Sequence, residues 1–398
     1  MTFGRGMLEH WLLDPSNVYL NHGTVGATPR RVLRTQQALR DEMERQPSQF
    51  MLRELNGEQP MPGRTISRLR EASAAVAGFV GADTDDLVLV SNVTTAMNAV
   101  LGSFPLASGD EILMTDLAYG AITNTARVAC DRAGATLRIV TIAYPPRDPG
   151  EVVKAIAGAI TARTKLVVID HITARTALVL PVAEIAAVCH ARGVPVLVDG
   201  AHAPGAIPVD IRSLGVDWYG ANLHKWAHAP RSCGFLWAAP ERQAILHAPV
   251  VSWGRDKGFL PEFEHTPTTD PTSLLAAPDG IALLREWNFD ACVDYMHRLA
   301  LDAATLLTEA WGTSFDVPTS MVGTMVTVPL PPELGSTDAD ATRLRLALLV
   351  EDRIEVQLHA AYGRLWIRVS AQVYNDRTDL QRLGDAVAKR CAARQASA

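Results

Sequence analysis

The stretch Val194-Pro-Val-Leu-Val-Asp-Gly-Ala-His-Ala-Pro-Gly205 decides how the rest of this chain is interpreted. Its apolar run predicts a buried strand, and the strand ends in two polar side chains, Asp199 and His202. Taken alone, an aspartate at a strand end is as often only a cap for the next turn. Further along, the stretch Asp217-Trp-Tyr-Gly-Ala-Asn-Leu-His-Lys-Trp226 places Lys225 between aromatic residues. A lone His-Lys pair usually lies on the surface, but a buried acid followed by such a lysine indicates a functional site.

Lysine is rare in this chain, which makes Lys225 stand out further. Lysine and arginine together number 37, and only five are lysines, namely Lys154, Lys165, Lys225, Lys257 and Lys389. A search for a catalytic lysine therefore has few candidates.

Short β-rich runs alternate with helical patterns between residues 86 and 240. The predicted strands are Leu87–Ser91, Glu111–Thr115, Thr136–Val140, Lys165–Asp170, Val194–Asp199 and Gly234–Trp237. The predicted helices are Thr95–Gly102, Ala121–Gly134, Glu151–Thr161 and Val182–Gly193. This alternation predicts an α/β fold with a mostly parallel sheet covered on both faces. Such sheets carry their sites at the carboxyl ends of the strands.

After about residue 255 the pattern changes. Helical stretches near residues 273–287 and 290–311 precede shorter strands and a closing helix, Asp376–Arg394. The shorter strands are Thr324–Val328, Glu355–Leu358 and Leu365–Ser370. We interpret this part as a smaller α+β domain.

The composition excludes several classes of protein. A chain of 398 residues suits a large domain with a smaller one. A net charge of −6 and a pI near 6.0 argue against a nucleic-acid or membrane-surface protein. No apolar run approaches the roughly 18 residues of a membrane span, and the first residues do not resemble an export signal. The five cysteines are scattered and never form a Cys-x-x-Cys pair, so we predict a reducing cytoplasm and no metal site.

The residue types around Lys225 are those that pyridoxal 5′-phosphate (PLP) requires. Its aldehyde needs an amine in the neutral form, and the pKa of a lysine falls readily in a desolvated pocket. Its ring nitrogen needs a carboxylate partner, a role that fits Asp199. Its phosphate needs amides at a helix start, which Ser91-Asn-Val-Thr-Thr-Ala-Met-Asn98 offers together with the hydroxyls of Thr94 and Thr95. The same residues would equally suit ordinary helix capping.

Seven stretches identify a family. They are Tyr19-Leu-Asn-His-Gly-Thr-Val-Gly26, Asn92-Val-Thr-Thr-Ala-Met-Asn98, Thr115-Asp-Leu-Ala-Tyr-Gly-Ala121, Asp170-His-Ile-Thr173, Val198-Asp-Gly-Ala-His-Ala-Pro-Gly205, Asn222-Leu-His-Lys-Trp226 and Ile367-Arg-Val-Ser-Ala-Gln-Val-Tyr-Asn375. In this order they resemble the class V aminotransferase superfamily of fold type I PLP enzymes, and within it the isopenicillin N epimerase-like group. The resemblance covers nearly the whole chain.

The resemblance implies a large domain with a mostly parallel seven-stranded sheet and a smaller α+β C-terminal domain. We expect an N-terminal arm at residues 1–25, the PLP-binding domain at 26–255 and the small domain at 256–398.

The resemblance also assigns roles to side chains. It implies that Lys225 forms the Schiff base with PLP and moves the Cα proton, that Asp199 holds the ring nitrogen, and that His202 lies near the phenolic oxygen. Tyr119, just after the predicted strand Glu111–Thr115, is placed to stack on the ring. The other expected cofactor contacts are Thr94, Thr95, His171, Thr173, Asn222 and His224.

The substrate site is implied in the same way. Arg368 matches the family's arginine for the substrate α-carboxylate, since a guanidinium binds a carboxylate through two hydrogen bonds. Without the surrounding motif, a surface ion pair would be the simpler interpretation of this strand arginine. Asn21, His22 and Gly23 of the arm are expected beside the substrate.

A segment resembling the family's Thr-Gly-Thr-x-Asp motif implies assembly. In the family this motif reaches the phosphate of the neighbouring subunit, and here the sequence is Thr266-Pro-Thr-Thr-Asp270. We therefore expect a homodimer with shared active sites, in which Thr268 contacts the phosphate held by the partner subunit. Pro267 departs from the motif because it removes an N–H and conformational freedom at the glycine position.

The assignment of PLP as the cofactor does not determine which reaction the enzyme catalyses. Our first prediction, from resemblance, is a Cα epimerase or racemase that acts through a Lys225 aldimine and a quinonoid intermediate. A β-eliminating C–S lyase of cysteine-type substrates is the alternative, and transamination is third. No cysteine lies between Cys292 and Cys391, which argues against a desulfurase that carries a persulfide on a loop of the small domain.

Two other classes of protein are disfavoured. The chain has no GxGxxG or GxxxxGK[ST] stretch after a strand, which argues against a nucleotide-binding protein without PLP. The joint presence of Lys225, Asp199 and Arg368 argues against a non-catalytic homologue that serves as a binding module.

Overall fold

The computed structural model describes residues 2–56, 63, 65–265 and 268–395. Its strands are β1 (Val18–Tyr19), β2 (Leu87–Val90), β3 (Glu111–Thr115), β4 (Thr136–Val140), β5 (Thr164–Asp170), β6 (Val196–Asp199), β7 (Trp218–Asn222), β8 (Gly234–Ala238), β9 (Met325–Pro329), β10 (Ile354–Glu355), β11 (Gln357–Ala361) and β12 (Arg364–Ser370). Its α-helices are α1 (His22–Val25), α2 (Arg30–Arg45), α3 (Pro47–Gln49), α4 (Arg68–Val80), α5 (Val93–Ser103), α6 (Gly120–Ala133), α7 (Pro149–Ala159), α8 (Val182–His190), α9 (Ile211–Leu214), α10 (Phe259–Glu264), α11 (Thr272–Leu275), α12 (Ala277–Glu286), α13 (Phe289–Trp311), α14 (Asp338–Asp352) and α15 (Arg377–Gln395).

A seven-stranded sheet forms the centre of the large part of the molecule. Its strand order is β2-β8-β7-β6-β5-β3-β4. All pairs are parallel except those of β8, which runs antiparallel to both β2 and β7. The residues of β6, β7 and β8 are all buried, as expected for strands covered on both faces. This arrangement confirms the predicted α/β fold with a mostly parallel sheet.

Within the seven-stranded sheet, the sequence pattern did not predict β7, which leads directly to Lys225. Aromatic residues and Gly220 interrupt its apolar run, and glycine is unfavourable in an ordinary strand. The glycine is nevertheless required, because a Cβ at this position would lie 2.9 Å from the Cβ of Ala96. Helix α5 therefore packs directly against the backbone of β7.

The second sheet is small and antiparallel, with the strand order β11-β12-β9. Helix α13 packs against β9 and against the closing helix α15. Helix α14, between β9 and β10, was not predicted. The predicted α+β character of this part is confirmed, while the domain limits at residues 25/26 and 255/256 remain a proposal.

Residues 18–21 pair with two strands of the C-terminal part of the chain, and β1 with β10 forms a separate two-stranded sheet. Strand β1 pairs in parallel with β10, and Asn21 forms a bridge to Ser370 at the end of β12. The segment that follows β1 is thereby held between the two sheets. Among the helices of the described residues, none combines the length and the apolar character that a membrane crossing requires.

Candidate active site

Lys225 and Asp199 meet because their strands are neighbours. Strand β6 ends at Asp199 and pairs in parallel with β7, which ends three residues before Lys225. The Lys225 Nζ atom lies 3.2 Å from His202 Nε2. Burial lowers the pKa of Lys225 to about 8, although the carboxylates of Asp199 and Asp170 act in the opposite direction. The neutral amine that an imine requires is thus accessible near physiological pH.

Asp199 offers a free oxygen to a ligand. Its Oδ1 atom accepts a hydrogen bond from the Ala201 N–H at 2.9 Å. Its Oδ2 atom is buried and has no hydrogen-bond partner in the part of the chain that the structure describes. Leaving a buried carboxylate oxygen without a hydrogen bond is costly. The site therefore fits a ligand that donates a hydrogen bond to this oxygen. The protonated ring nitrogen of PLP is such a donor, and we conclude that the residues present fit this cofactor.

Asp170 is a second buried carboxylate that the sequence analysis did not single out. It lies opposite Asp199 in the register of β5 and β6 and lines the same cavity. Burial and the charge of Asp199 raise the pKa of Asp170 well above its usual value. The signal was present in the sequence, since Asp170 is the last residue of a predicted strand.

The cavity beside Lys225 has a volume of about 330 Å³. Seven of the predicted cofactor residues line it, namely Thr94, Tyr119, Asp199, His202, Asn222, His224 and Lys225. Polar residues that line it without having been predicted are Thr24, Ser91, Asn92, Asp170, Arg231 and Ser232. Arg231 lies in the loop after Lys225, and only its closeness to that lysine along the chain could have indicated it.

The start of helix α5 forms one wall of this cavity. The Asn222 side chain accepts a hydrogen bond from the Val93 N–H at 2.9 Å, and the Asn92 side chain accepts one from the Thr95 N–H at 2.9 Å. The Thr95 hydroxyl lies 2.8 Å from the Ser91 hydroxyl. Thr95 thus belongs to the helix cap, while Thr94 faces the cavity at the positive end of the helix dipole.

Two further predicted contacts do not line the cavity. His171 Nδ1 lies 2.8 Å from the Tyr219 hydroxyl, and the Thr173 hydroxyl accepts a hydrogen bond from the Leu178 N–H at 2.8 Å. Successive side chains of an extended segment point to opposite sides. Asp170 therefore reaches the cavity, whereas His171 is directed into the protein behind it.

A second cavity of about 780 Å³ adjoins the first and shares Thr24, Tyr119, Ala174, His202 and Lys225 with it. Arg368 lines this cavity and is only 4% exposed. Its Nη2 atom donates to the Thr24 hydroxyl at 2.8 Å, and Nη1 donates to the Ala174 carbonyl. Burial lowers the pKa of Arg368 to about 10. No carboxylate forms an ion pair with Arg368 among the described residues, so a buried cation faces the cavity without a counterion.

The three predicted arm residues have different positions. Gly23 lines the second cavity. Asn21 donates to Glu355 at 2.8 Å, and its side-chain oxygen lies 3.5 Å from Arg368 Nη2. His22 lines neither cavity.

His22 holds the backbone of Lys225. Its Nε2 atom lies 2.7 Å from the Lys225 carbonyl, so Nε2 carries the proton and donates it. Burial lowers the pKa of His22 to about 4, so the ring is neutral and Nδ1 accepts from the Tyr374 hydroxyl at 2.8 Å. His22 thus supports Lys225 from outside both cavities, and its contact with the substrate remains a prediction.

Thr268 is exposed and lines neither cavity of its own chain. Thr266 and Pro267 lie outside the described residues, so the departure from the family motif at Pro267 is not described structurally. The contact of Thr268 with a partner subunit remains a prediction.

The fold and the paired cavities define the class of protein, an α/β enzyme that uses PLP. The family model for aminotransferase class-V matches residues 19–383, and the chain belongs to this family. Its cofactor is pyridoxal 5′-phosphate, as the sequence analysis predicted.

Individual relatives carry different activities. "Putative L-cysteine desulfhydrase 2" of Oryza sativa subsp. japonica is 35% identical, over 94% of this chain and 85% of that protein. "Isopenicillin N epimerase" of Streptomyces clavuligerus is 32% identical, over 94% of this chain and 95% of that protein. Among solved structures, a C-DES mutant with glycine covalently linked to the PLP cofactor has a TM-score of 0.80 and 22% identity, covering 94% of this chain and 96% of the other. Family membership therefore does not distinguish epimerase activity from C–S lyase activity.

Proposed function

We propose that this enzyme is a Cα epimerase that removes the Cα proton of an amino acid bound through its α-carboxylate to Arg368. The observation that carries the proposal is the buried Arg368 guanidinium without a carboxylate partner in the described chain, on the cavity that Lys225 also lines. A substrate carboxylate would supply the missing counterion through a charge-assisted pair. PLP, when bound, supplies the electron sink for the charge that develops at Cα.

Lys225 is the base in this proposal. Its lowered pKa provides a neutral amine. Burial lowers the pKa of His202 well below its usual value, so this ring is neutral as well. A neutral imidazole 3.2 Å from Nζ orients the amine without adding charge to the cavity.

Tyr119 is the second acid–base group that epimerisation requires. Inversion at Cα needs a proton donor on the face opposite the base. Tyr119 lines both cavities and is 49% exposed, so this residue borders the substrate cavity and is open to solvent. We propose that Tyr119 returns the proton on the face opposite Lys225.

β-Elimination from a cysteine-type substrate is the second candidate. The desulfhydrase relative at 35% identity favours it, and elimination needs only the one base, Lys225. In this reaction the Cα proton moves to Lys225 while the Cβ–S bond breaks and the thiolate leaves. None of the five cysteines lines either cavity, so sulfur would leave without forming a protein persulfide.

One experiment separates the two candidates. The holoenzyme is incubated in D₂O with L-amino acids, including L-cysteine and L-cystine, and the Cα configuration, deuterium content, keto acid and sulfide are measured. Epimerisation predicts inverted product with deuterium at Cα and no keto acid. Tyr119→Phe should then abolish inversion while Cα deuterium exchange persists. Release of sulfide and keto acid, unchanged in Tyr119→Phe, would establish elimination and overturn the epimerase proposal.

We also propose that two copies form a cytoplasmic homodimer with shared sites. Val251 and Trp253 are 71% and 81% exposed in the single chain, and large apolar side chains so exposed are typical of an interface. Thr268 lies 15 residues further along and is exposed as well. The five cysteines are all free, which supports a reducing compartment.

A further inference from the structure

Arg175 is a second arginine on the substrate cavity. It lines the 780 Å³ cavity together with Arg368, but it is exposed where Arg368 is buried. Within the described residues it forms no ion pair. Arg175 therefore lies at the exposed part of the cavity, and none of the described carboxylates pairs with it.

The loop that carries Arg175 is held firmly. The Thr327 hydroxyl donates to the Arg175 carbonyl at 2.7 Å, and the hydroxyls of Thr173 and Thr176 lie 2.7 Å apart. The neighbouring Ala174 carbonyl accepts from Arg368. The same loop thus contacts the inner arginine and carries the outer one.

His359 adds a second polar group to this part of the cavity. It is buried, and its Nδ1 atom has no partner in the described chain. Burial lowers the pKa of His359 to about 4, with Arg175 and Arg368 contributing in the same direction. A neutral ring with an unsatisfied nitrogen can donate a hydrogen bond to an anion.

The cavity is larger than an amino-acid head group alone requires. Its volume of about 780 Å³ lies in the range of pockets that hold drug-sized ligands. Besides Lys225, which the cofactor engages, its lining includes two arginines, Arg368 and Arg175, and one acidic residue, Asp116. The charge balance favours a substrate with more than one negative group.

We propose that the reacting amino acid carries a second carboxylate remote from Cα, and that Arg175, with His359 beside it, binds that carboxylate at the outer end of the cavity. This inference rests on the proposed function, because it assumes that Arg368 holds the α-carboxylate. Arg175 acts here as a specificity-determining residue and takes no part in proton transfer.

The test compares amino acids of matched length with and without the distal carboxylate. The pairs are L-aspartate with L-2-aminobutyrate, L-glutamate with L-norvaline, and L-2-aminoadipate with L-norleucine. Each is titrated into the PLP-loaded enzyme, and binding is followed by the change in the visible absorption of the cofactor. We expect at least one diacid to bind about tenfold more tightly than its partner, equivalent to about 1.4 kcal/mol.

Variants assign that preference to Arg175. Arg175→Gln should bring the ratio within a pair close to one, Arg175→Lys should keep part of it, and Arg192→Gln, an exposed arginine away from both cavities, should leave it unchanged. A ratio near one for every pair in the parent enzyme, or a preference that survives in Arg175→Gln, would overturn this inference while leaving the proposed function standing. If no amino acid changed the spectrum, the proposed function itself would fail.

Discussion

Asp170 and Asp199 end neighbouring parallel strands and lie directly opposite each other in the register of β5 and β6. Both carboxyl groups are buried. Two carboxylates that share a site do not both ionise readily, so the pKa of one of them is raised strongly. Burial raises the pKa of both, and the charge of Asp199 raises that of Asp170 further. The pKa of Asp170 is therefore raised further than that of Asp199.

This difference between the two carboxyl groups predicts that the same substitution, aspartate to asparagine, has different effects at the two positions. Asp199→Asn removes the charge that holds the cofactor nitrogen, and turnover should fall at least about a hundredfold. Asp170→Asn puts a neutral amide in place of the carboxyl group whose pKa is raised further, and the loss should stay below about tenfold on the same scale. Turnover is measured beside PLP content, determined from absorbance. Equal losses in the two variants would show that the charge is shared.

Chemical labelling can identify the lysine that forms the Schiff base with the cofactor. Because Lys225 is the lysine that lines the cavity, borohydride reduction followed by protease digestion should place the pyridoxyl group on the Lys225 peptide. Lys225→Ala should lose the covalent adduct and keep the fold, as judged by circular dichroism. Lys257→Ala is the matched control and should label normally, since Lys257 lines neither cavity. Recovery of the label on another peptide would end the assignment.

The lowered pKa of Lys225 predicts how PLP capture depends on pH. Only the neutral amine attacks the aldehyde, and the neutral fraction rises as the pH passes upward through the pKa. The initial rate of imine formation by the cofactor-free protein should therefore rise with a midpoint near pH 8, where an ordinary lysine would show 10.5. Stopped-flow absorbance measures this rate. A rate still rising steeply above pH 9 would mean that burial does not lower the pKa as described.

Even the conservative substitution Arg368→Lys should reduce the activity of the enzyme. Lysine keeps the charge but loses the planar fork that reaches Thr24 and Ala174 while binding a carboxylate. Arg368→Lys should reduce kcat/KM about tenfold to a hundredfold, the range for a hydrogen bond to a charged group. Arg364→Lys is a control on the same strand, because Arg364 lines neither cavity. A similar loss in both variants would point to damage to β12 and not to the substrate.

The proposed dimer predicts an effect at a residue far from its own cavity. Thr268→Ala should weaken PLP affinity, because it removes a donor to the phosphate held by the partner subunit. Thr269→Ala, at the adjacent exposed position, is the matched control. Cofactor titration measures the affinity, and sedimentation of the PLP-loaded protein measures the assembly. A fully loaded monomer would refute the shared site.

The sequence could predict the site residues that lie at the ends of strands. Asp199 was expected near Lys225 because a hydrophobic run locates the end of a strand and parallel strand ends meet, and both residues line one cavity. In the loop that follows a strand, packing determines where each side chain points. Loops have no periodic hydrophobic pattern from which this direction could be predicted. That is why Thr95 and His171 were expected in the cavity although each is bonded within the protein. For the same reason the contribution of Arg231 was missed.

The contacts of His22 join Lys225 to residues that lie far apart in the sequence. His22 supports the backbone of Lys225 and is itself held by Tyr374, so the lysine is braced by residues from early and late in the chain. Synthesis proceeds from the N-terminus, and the large sheet is translated well before Tyr374. While the polypeptide is still on the ribosome, the brace is therefore incomplete and Arg368 is absent or unplaced. The complete set of contacts around Lys225 therefore exists only once residue 374 has been synthesised and folded.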